Sequence, residues 1–491
     1  MLLYLGIIAA GLLAYLLRKW FYCIWARYVV KSIPGGPFPL PIVGNILEID
    51  GKAPFESMEK WAHQYGKLFT MMMGSEVVLA IADLDLLKKA FKDDRFSGRP
   101  ENFFFDIWRS MGYPLGFAGL DGDVWKEHRR FSIHALKDFG FGKSAAEEQI
   151  QKEAGELLKT LLDSGGQPMD NHIPFSTATS NVTAIMMFGT SFSSQDSRFN
   201  YFIEAESQNF KDFANMSVLD MIPWAVHIPP FRSWVKNLRK RIEKQLELLH
   251  ELISEHKQYF DPQNPRDYID AFFNEKDKSA TFTDGQLLSN VQDLFSASFE
   301  TTATFLRWAM LLMIHHPEAQ RKVQEEIDRV IGRSGLIKSN DRSRLPYTEA
   351  TILEIFRFAN YIPFLLPHKT LEDVQFEGYT IRKDTTIMGL GWVINRDPAL
   401  WKNPEAFIPE RFLDDKGNVN QSTASNVMIF STGKRVCPGE PLARIETLLF
   451  FGSILQKFNI TGEGSAKPSL SRVDGLTLTP EPYLMRAIPR K

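Results

Sequence analysis

From residue 50 onward the sequence shows mainly helical periodicity and contains no second linker. One predicted helix runs over residues 235–258, where the apolar stripe that faces the core consists of Val235, Leu238, Ile242, Leu249 and Ile253. Short strand-like runs appear at 76–83, at 376–389 and near the C-terminus. We therefore predict a single, mainly α-helical domain with small β-sheets over residues 50–491. A chain of this length exceeds the usual size of one apolar core, so something else is expected to help organise the interior.

Charge and cysteine content exclude several classes of protein. The chain has 57 basic and 59 acidic residues, and its net charge of -2 gives no support to a nucleic-acid binder, which would carry a clustered basic excess. The 2 cysteines, Cys23 and Cys437, lie in very different segments, so a disulfide framework is excluded. So few thiols suit a reducing compartment, where a lone cysteine serves as a ligand or a nucleophile.

The N-terminal segment is unlike the rest of the chain. Residues Leu2 to Leu17 are uncharged and apolar, and as a helix they would extend about 24 Å, slightly less than the roughly 30 Å of a bilayer core. Arg18 and Lys19 follow this run, whereas a cleaved signal peptide, the alternative, has its positive charge first. We therefore predict a membrane anchor over residues 1–26, with the following domain on the cytoplasmic side.

A basic and proline-rich strap is predicted over residues 27–49. Within it, residues 34–45 have the sequence PGGPFPLPIVGN, and prolines at this spacing fix φ and remove backbone donors. The alternative is a flexible linker, but flexible linkers are rich in Gly and Ser. The strap is therefore expected to join the anchor to the domain in a stiff, extended conformation.

The long apolar helix predicted around residue 300 carries polar residues at its middle. In the run ASFETT, residues 297–302, Glu300 is followed by Thr301. A buried acid has to be paired, hydrated or functional, and threonine can hydrogen-bond to the preceding turn and distort a helix. An acid beside an alcohol in such a helix can relay protons into a dry pocket. From these residues alone, a purely structural role stays equally open.

Two later segments carry charges that can pair. Glu354 and Arg357 are three positions apart and so lie on one face of a predicted helix, while Arg411 lies in a Pro- and Phe-rich run. An exposed pair would contribute little to stability. A buried Arg-Glu-Arg triad, by contrast, would be costly to break. We hypothesise that these three residues form such a triad and hold the surrounding loops.

The second cysteine lies in the segment FSTGKRVCPG. Its positions follow the pattern F-x-x-G-x-R-x-C-x-G, formed by Phe430, Gly433, Arg435, Cys437 and Gly439. This pattern closely resembles the heme-ligating signature of the cytochrome P-450 family.

Further motifs extend the resemblance over essentially the whole chain. Glu354-x-x-Arg357 is similar to the K-helix motif of that family, residues 409–412 to its meander, and Trp125-x-x-x-Arg129 to its C-helix. The anchor and strap resemble those of the microsomal members. The resemblance implies the cytochrome P-450 fold, with heme buried between a long distal I-helix and a proximal cysteine loop.

The resemblance also implies the cofactor, heme b, with the Cys437 thiolate as its axial ligand. A thiolate pushes electron density onto the iron and favours O–O cleavage. Main-chain amides of the loop are expected to hydrogen-bond the sulfur, and Gly433 and Gly439 to permit close backbone approach. The other residues expected to bind the cofactor are Trp125, Arg129, His368, Phe430 and Arg435.

By the same resemblance, Glu300 and Thr301 are the acid–alcohol pair that delivers protons to bound dioxygen. The sequence departs from the common pattern at Ser298, where a glycine is usual, and the bulky Phe299 follows. The Ser298 hydroxyl is expected either to crowd the oxygen-binding groove or to add a hydrogen bond.

An apolar substrate pocket is expected. The residues placed in it are Phe103, Phe104, Phe105, Phe117, Ala118, Ala297, Phe299, Ile362, Phe364, Leu365 and Leu476. Residues 216–231 resemble the connection between the F and G helices, and Trp224, Ile228 and Phe231 are expected to dip into the membrane.

Electrons are expected to come from outside, because the chain has no nucleotide-binding G-x-G-x-x-G motif. The resemblance implies NADPH-cytochrome P-450 reductase as the donor, with cytochrome b5 as a second candidate. Lys126 and Arg130 lie four apart on the predicted C-helix and are expected to present positive charge to an acidic partner. A merely solvated basic face is the alternative.

Together these features imply a monooxygenase of the endoplasmic reticulum membrane. It would use NADPH, through the reductase, to insert one atom of O2 into a small lipophilic xenobiotic, fatty acid or steroid. One alternative is a peroxide isomerase or dehydratase of the same fold, which would have no use for the Glu300–Thr301 relay. The other is a heme sensor or lipid-binding protein without turnover.

Overall fold

The computed structural model describes residues 2–141, 144–464 and 466–490. The α-helices of this part of the chain are α1 Leu2–Ile24, α2 Pro54–Tyr65, α3 Leu84–Lys92, α4 Phe103–Ser110, α5 Gly122–Asp138, α6 Ser144–Asp163, α7 His172–Phe188, α8 Ser197–Met221, α9 Phe231–Gln258, α10 Tyr268–Phe273, α11 Asp284–His315, α12 Pro317–Val330, α13 Pro346–Ala359, α14 Gly391–Ile394, α15 Gln421–Ala424 and α16 Glu440–Lys457. The strands are β1 Leu68–Met73, β2 Glu76–Ile81, β3 Met169–Asp170, β4 His368–Lys369, β5 Val374–Phe376, β6 Tyr379–Ile381, β7 Thr386–Gly389, β8 Phe458–Gly462, β9 Arg472–Val473, β10 Thr479–Pro480 and β11 Leu484–Pro489. The prediction of a mainly helical fold with small sheets is confirmed.

The strands form small sheets at the side of the helical core. The largest has the order β1-β2-β7-β4, in which β2 and β7 run parallel with Val78 opposite Thr386. A second sheet has the order β3-β11-β8, and the remaining strands pair as β5 with β6 and β9 with β10. Because β2 and β7 are far apart in sequence, the first sheet joins the N-terminal part of the chain to the segment that follows α13.

Helix α11 is the centre of the core. Its N-terminus is capped by the Thr283 side chain, which accepts a hydrogen bond from the Gln286 amide, and it ends just before Pro317. Most of its side chains are buried, and it packs against α7, α13 and α16. A helix buried over most of its surface is stable only when neighbours surround it. It therefore places polar residues such as Gln292, Glu300 and Thr302 deep inside the molecule.

The predicted strap lies against β1 and does not extend freely. Arg27 is buried and donates to the carbonyl of Pro37 at 2.7 Å and to that of Thr70 at 2.7 Å. A Cβ at Gly36 would lie 1.9 Å from the Thr70 carbonyl oxygen, so only glycine fits there. An ion pair also joins Lys19, near the end of α1, to Glu76 of β2. The strap is thus held by charge-assisted hydrogen bonds as well as by its prolines.

Among the described residues, no helix is both long enough and apolar enough to cross a membrane. The anchor over residues 1–26 and the domain boundaries remain predictions.

Candidate active site

The segment 430–439 folds into a tight turn that presents the Cys437 sulfur. The Cys437 amide donates to the Phe430 carbonyl at 2.8 Å, and α16 begins directly afterwards at Glu440. Burial raises the pKa of the Cys437 thiol, and the Glu440 carboxylate adds to the rise. The backbone amides of Gly439 and Glu440, which hydrogen-bond the sulfur, and the nearby Arg129 cation oppose it. The amides and the cation are the groups that would stabilise a thiolate here.

The structure requires only the first of the two predicted glycines of this turn. Gly433 has φ 74°, and a Cβ there would lie 1.9 Å from the Phe91 carbonyl oxygen. The close approach is therefore to α3, where no side chain could be accommodated. Gly439 has an ordinary φ of -79°, and its added Cβ would lie 3.6 Å from the Cys437 sulfur, a normal van der Waals contact. The protein around Gly439 therefore has room for a Cβ.

Cations and aromatic rings lie next to the turn. The Arg435 guanidinium lies 3.7 Å from the centre of the Trp125 ring and donates to Asp121 at 3.0 Å. Arg129 donates to the Val436 carbonyl at 2.6 Å. The structure thus brings together Trp125 and Arg129, both on α5, with Arg435 in the turn. All three were predicted from the sequence to bind the cofactor. The ring of Phe430, at the start of the turn, packs against Phe356 of α13 with a centroid separation of 5.4 Å.

His368, the third predicted cofactor residue outside this turn, is buried on β4. Its Nδ1 donates to the Phe96 carbonyl at 2.9 Å, and its ring stacks on Phe91 at 3.7 Å. The pKa of His368 lies well below its ordinary value because of burial, with the positive charges of Arg99 and Arg435 adding to the effect. His368 is therefore a neutral hydrogen-bonding group beside two cations.

Arg99 belongs to this cluster and was missed by the sequence analysis. It donates to the carbonyls of Ala118, at 3.1 Å, and of Pro367, at 2.7 Å. Burial lowers its pKa to about 10, and Arg129 adds to the lowering. In the sequence it is a single arginine in a loop, with no motif to mark it. Only the packing of two distant loops brings it to the site.

The charge of this cluster tests whether heme fits. Arg99, Arg129 and Arg435 are largely buried around one carboxylate, that of Asp121. Burial lowers the pKa of Arg435 to about 9, and repulsion from Arg99 contributes. Such an excess of buried positive charge is stable only when a bound anion balances it. The two propionates of heme, next to a cysteine sulfur, match this requirement, so the residues fit the group.

The central helix has accessible residues at its middle. Ala297 is accessible and Thr301 partly so, although Ser296 and Glu300 beside them are buried. Thr301 Oγ1 donates to the Ala297 carbonyl at 2.9 Å, within its own helix. On its buried side, α11 is joined to α16, the helix after the cysteine turn, because Thr302 donates to Glu446 at 2.9 Å.

Ser298 and Phe299, where the sequence departs from the family pattern, make their contacts within α11 and the core. The Ser298 hydroxyl donates to the Phe295 carbonyl at 2.7 Å, so it bonds to its own helix. Phe299 is fully buried, and its ring packs against those of Phe202 and Phe295. The structure therefore does not bring Phe299 to the face of Ala297 and Thr301, because the two positions lie on different sides of the helix.

Glu300 is buried and accepts a hydrogen bond from the Ser207 hydroxyl at 2.8 Å. Burial raises the pKa of its carboxyl group, although that hydrogen bond and the Arg307 cation oppose the shift. The acid and alcohol of the predicted pair thus have separate partners, since Thr301 bonds to Ala297. A proton would reach the pocket side of α11 from Glu300 only after the carboxyl group turns or through water.

The predicted pocket residues fall into several groups. Phe103, Phe104 and Phe105 are partly buried on α4. Phe117 is buried below the Arg129 guanidinium, which lies 5.8 Å from its ring centre. Ala118 follows it in the loop and donates to Asp293 at 2.9 Å. Thus α4 and its loop bring aromatic surface close to the cationic cluster.

The remaining predicted pocket residues lie in two loops. Ile362 and Phe364 are partly buried, and the Leu476 amide donates to the Phe210 carbonyl at 2.8 Å. Leu365 instead packs in a second, smaller apolar cluster that includes residues of β2 and β7, while the neighbouring Leu366 is 45% exposed. Leu365 is therefore not on the accessible side, and Leu366 is the better candidate. Successive residues of an extended segment alternate sides, and the sequence alone does not decide which side faces the pocket.

The hypothesised triad is present and buried. Arg357 donates to the two oxygens of Glu354 at 2.7 and 2.8 Å, and Arg411 donates to Glu354 at 3.2 Å. The remaining donors of Arg357 reach the carbonyls of Asn395, Pro404 and Ala406. The triad thus joins α13 to the irregular segment that precedes the cysteine turn.

A partly buried cysteine whose sulfur accepts hydrogen bonds from backbone amides, beside clustered cations, is the arrangement of a heme-thiolate protein. The family model of cytochrome P450 matches residues 34–487. Cytochrome P450 2D26 of Rattus norvegicus is 37% identical over 480 residues, which is 94% of each chain. Cytochrome P450 2C16 of Oryctolagus cuniculus is 38% identical over 435 residues, 87% of this chain and 88% of the relative. Cytochrome P450 2J5 of Mus musculus is 34% identical over 474 residues, 94% and 92% of the two chains.

The chain therefore belongs to the cytochrome P450 family. Proteins of this family are monooxygenases that use heme, with a cysteine thiolate on the iron, and dioxygen. In this chain Cys437 would supply the thiolate, while Arg99, Arg129, Arg435 and His368 would hold the propionates. When bound, the heme supplies the activation of dioxygen.

Proposed function

We propose that this protein inserts one atom of O2 into a small lipophilic substrate, such as a xenobiotic, fatty acid or steroid, with electrons from NADPH through a reductase. The observation that carries the proposal is the accessible face of α11, where Ala297 and Thr301 lie between otherwise buried residues. The aromatic side chains of α4 supply an apolar surface for such a substrate.

A substrate screen and a turnover assay test this proposal. Fatty acids, steroids and drug-like amines are titrated into the heme-loaded protein, and a low-to-high spin change in its absorbance marks a bound candidate. Substrate-dependent NADPH oxidation with added reductase, together with an oxygenated product, would support monooxygenation. Conversion of a hydroperoxide without reductase would instead support the isomerase or dehydratase. A spin change with no turnover under either condition would support a sensor or lipid carrier.

We assign proton delivery to Glu300 and Thr301. The Thr301→Ala variant should release more peroxide per NADPH consumed, because the pocket then lacks a hydroxyl to donate a proton. Ser298→Gly is the control, because it also removes a hydroxyl that bonds to its own helix but leaves the acid–alcohol pair in place. Its coupling should stay close to that of the wild type. Unchanged peroxide release in Thr301→Ala would count against the relay.

We place the reductase on α5. Lys126 and Arg130 are exposed one turn apart, and Lys126 pairs with exposed Asp123 at 3.1 Å. Charge reversal at both positions should slow reductase-driven turnover and change its salt dependence, while peroxide-supported turnover stays the same. Lys159→Glu, an exposed lysine on α6, is the control. Equal loss of both activities would remove the docking assignment, and the same assay with cytochrome b5 tests that second donor.

We propose that the protein is held on the endoplasmic reticulum membrane by residues 1–26 and by the connection between α8 and α9. Ile228 in that connection is 43% exposed, and Phe231 beside it is partly buried. The Trp224 side chain lies outside the described side chains. Flotation with liposomes should show that removal of residues 1–26 weakens binding and that Ile228→Asp weakens it further. If the truncated protein does not bind liposomes at all, the proposed membrane contact of the α8–α9 connection is wrong.

A further inference from the structure

A chain of hydrogen bonds leads away from the buried acid of α11. Glu300 accepts from the Ser207 hydroxyl at 2.8 Å, and Ser207 in turn lies 3.0 Å from Nε2 of His172. Because the serine proton is directed at the carboxylate, the serine oxygen is free to accept from an Nε2–H of His172. The donors thus run in one direction, from α7 through α8 to α11.

His172 can supply this chain in its neutral form. Burial lowers the pKa of His172 to about 4, and the cations Arg307 and Lys211 add to the lowering, while Asp170 opposes it. A neutral imidazole takes a proton on Nδ1 and releases the one on Nε2, so it passes protons without a stable charge. His172 is only partly buried, whereas Ser207 and Glu300 are inside.

An acidic cleft lies near His172, where this row of hydrogen bonds ends. Asp170 lines a cleft of about 660 Å³ together with Glu463, Glu481 and Tyr483, and its carboxylate accepts from the His172 amide at 2.9 Å. A concave surface that carries carboxylates raises the local concentration of cations, including protons. The cleft thus has in its wall a carboxylate that contacts the backbone of His172 and whose charge acts on the imidazole.

Two buried hydroxyls near these hydrogen bonds have no partner among the described residues. The hydroxyls of Ser176 and Thr304 are buried and make no hydrogen bond within the part of the chain that the structure describes. They lie one turn beyond His172 and Glu300 on helices that pack together. Buried hydroxyls of this kind are usually satisfied by ordered water, which would support proton transfer there.

We propose that His172, Ser207 and Glu300 form the path by which solvent protons reach the oxygen-binding side of the pocket. The proposal rests on the proposed monooxygenation, which reduces one oxygen atom to water with two electrons from NADPH and two protons from solvent. In each transfer, water in the cleft protonates His172 Nδ1, the Nε2 proton passes to Ser207, and the serine proton passes to Glu300; loss of the Nδ1 proton to water and return of a proton to Nε2 by rotation of the ring then restore the starting tautomer. Glu300 is the proton donor toward the pocket, and His172 and Ser207 act through it.

The first test follows exchange of the Glu300 proton in the heme-loaded protein. The infrared carbonyl band of protonated Glu300 is identified by its absence in Glu300→Gln, and its shift is timed after transfer into D2O. Ser207→Ala and His172→Phe should slow the exchange by about tenfold or more, the scale of a lost general acid–base step. Ser207→Thr retains the hydroxyl and should exchange at the wild-type rate. Equal rates in all variants would overturn the proposal.

The second test compares coupling and its dependence on solvent deuterium. Ser207→Ala and His172→Phe should release more peroxide per NADPH and show a larger solvent isotope effect on product formation. Neither substitution should add to the effect of Glu300→Gln, since all three residues act in one path. Additive effects would overturn the proposal. If wild-type protein makes no product with reductase and any lipid but exchange still depends on Ser207, the proposed function fails and the proton path stands.

Discussion

Removal of Arg357 should be among the most damaging single changes to this protein. Its side chain is fully buried and donates to both oxygens of Glu354, at 2.7 and 2.8 Å, and to three backbone carbonyls. In Arg357→Ala the carboxylate would keep Arg411, at 3.2 Å, and the Ile408 amide, at 2.8 Å. The carbonyls of Asn395 and Pro404 would lose the donors that Arg357 supplies, in a site with little access to water.

The size of the effect follows from this burial. Removal of one partner of a buried ion pair costs about 3–5 kcal/mol, against a total stability of about 5–15 kcal/mol for a typical domain. Because each ~1.4 kcal/mol is a factor of ten, the unfolded fraction should rise by a factor of about one hundred to several thousand. The triad also holds the segment before the cysteine turn, so heme ligation should be lost with it.

The assay measures heme-loaded protein by the absorbance of the reduced, carbon monoxide-bound form, and its survival against temperature. Arg357→Ala should yield little loaded protein. Arg357→Lys, which keeps the charge but cannot donate to both oxygens in parallel, should fall between it and the wild type. Arg321→Ala removes an exposed arginine that also contacts two carboxylates and should show no measurable change. Wild-type yield and thermal survival in Arg357→Ala would refute the reasoning.

The remaining predictions concern the cysteine turn, its cations and a buried acid. Gly433→Ala should abolish the carbon monoxide signature because of its positive φ and the 1.9 Å approach, while Gly439→Ala should retain ligation. Arg99→Leu should speed the loss of heme absorbance in denaturant, and Arg95→Leu, at an exposed ion pair, should not. Burial raises the pKa of Glu446 from 4.5 to about 8, so only the folded state holds this proton between those values and stability falls as pH rises. Glu446→Gln should flatten this fall, measured as heme-loss half-life against pH; an unchanged slope would contradict the assignment.

The sequence determined the features that depend on neighbours along the chain. Glu354 and Arg357 share a face because they are three positions apart on one helix, and the cysteine turn follows from its glycines and their spacing. The acid and alcohol at 300 and 301 were identified in the same way. In each case the interaction or the backbone conformation is set within about one turn of chain.

Tertiary structure decided which side of an element faces the site and which distant residues meet there. Phe299 turns into the core, Leu366 instead of Leu365 is accessible, and Arg99 joins the cationic cluster only through the packing of two loops. The contact of Ser207 with Glu300 likewise joins two helices that are 93 positions apart. Such contacts depend on how whole elements pack, and local spacing carries no information on the rotation of one element against another.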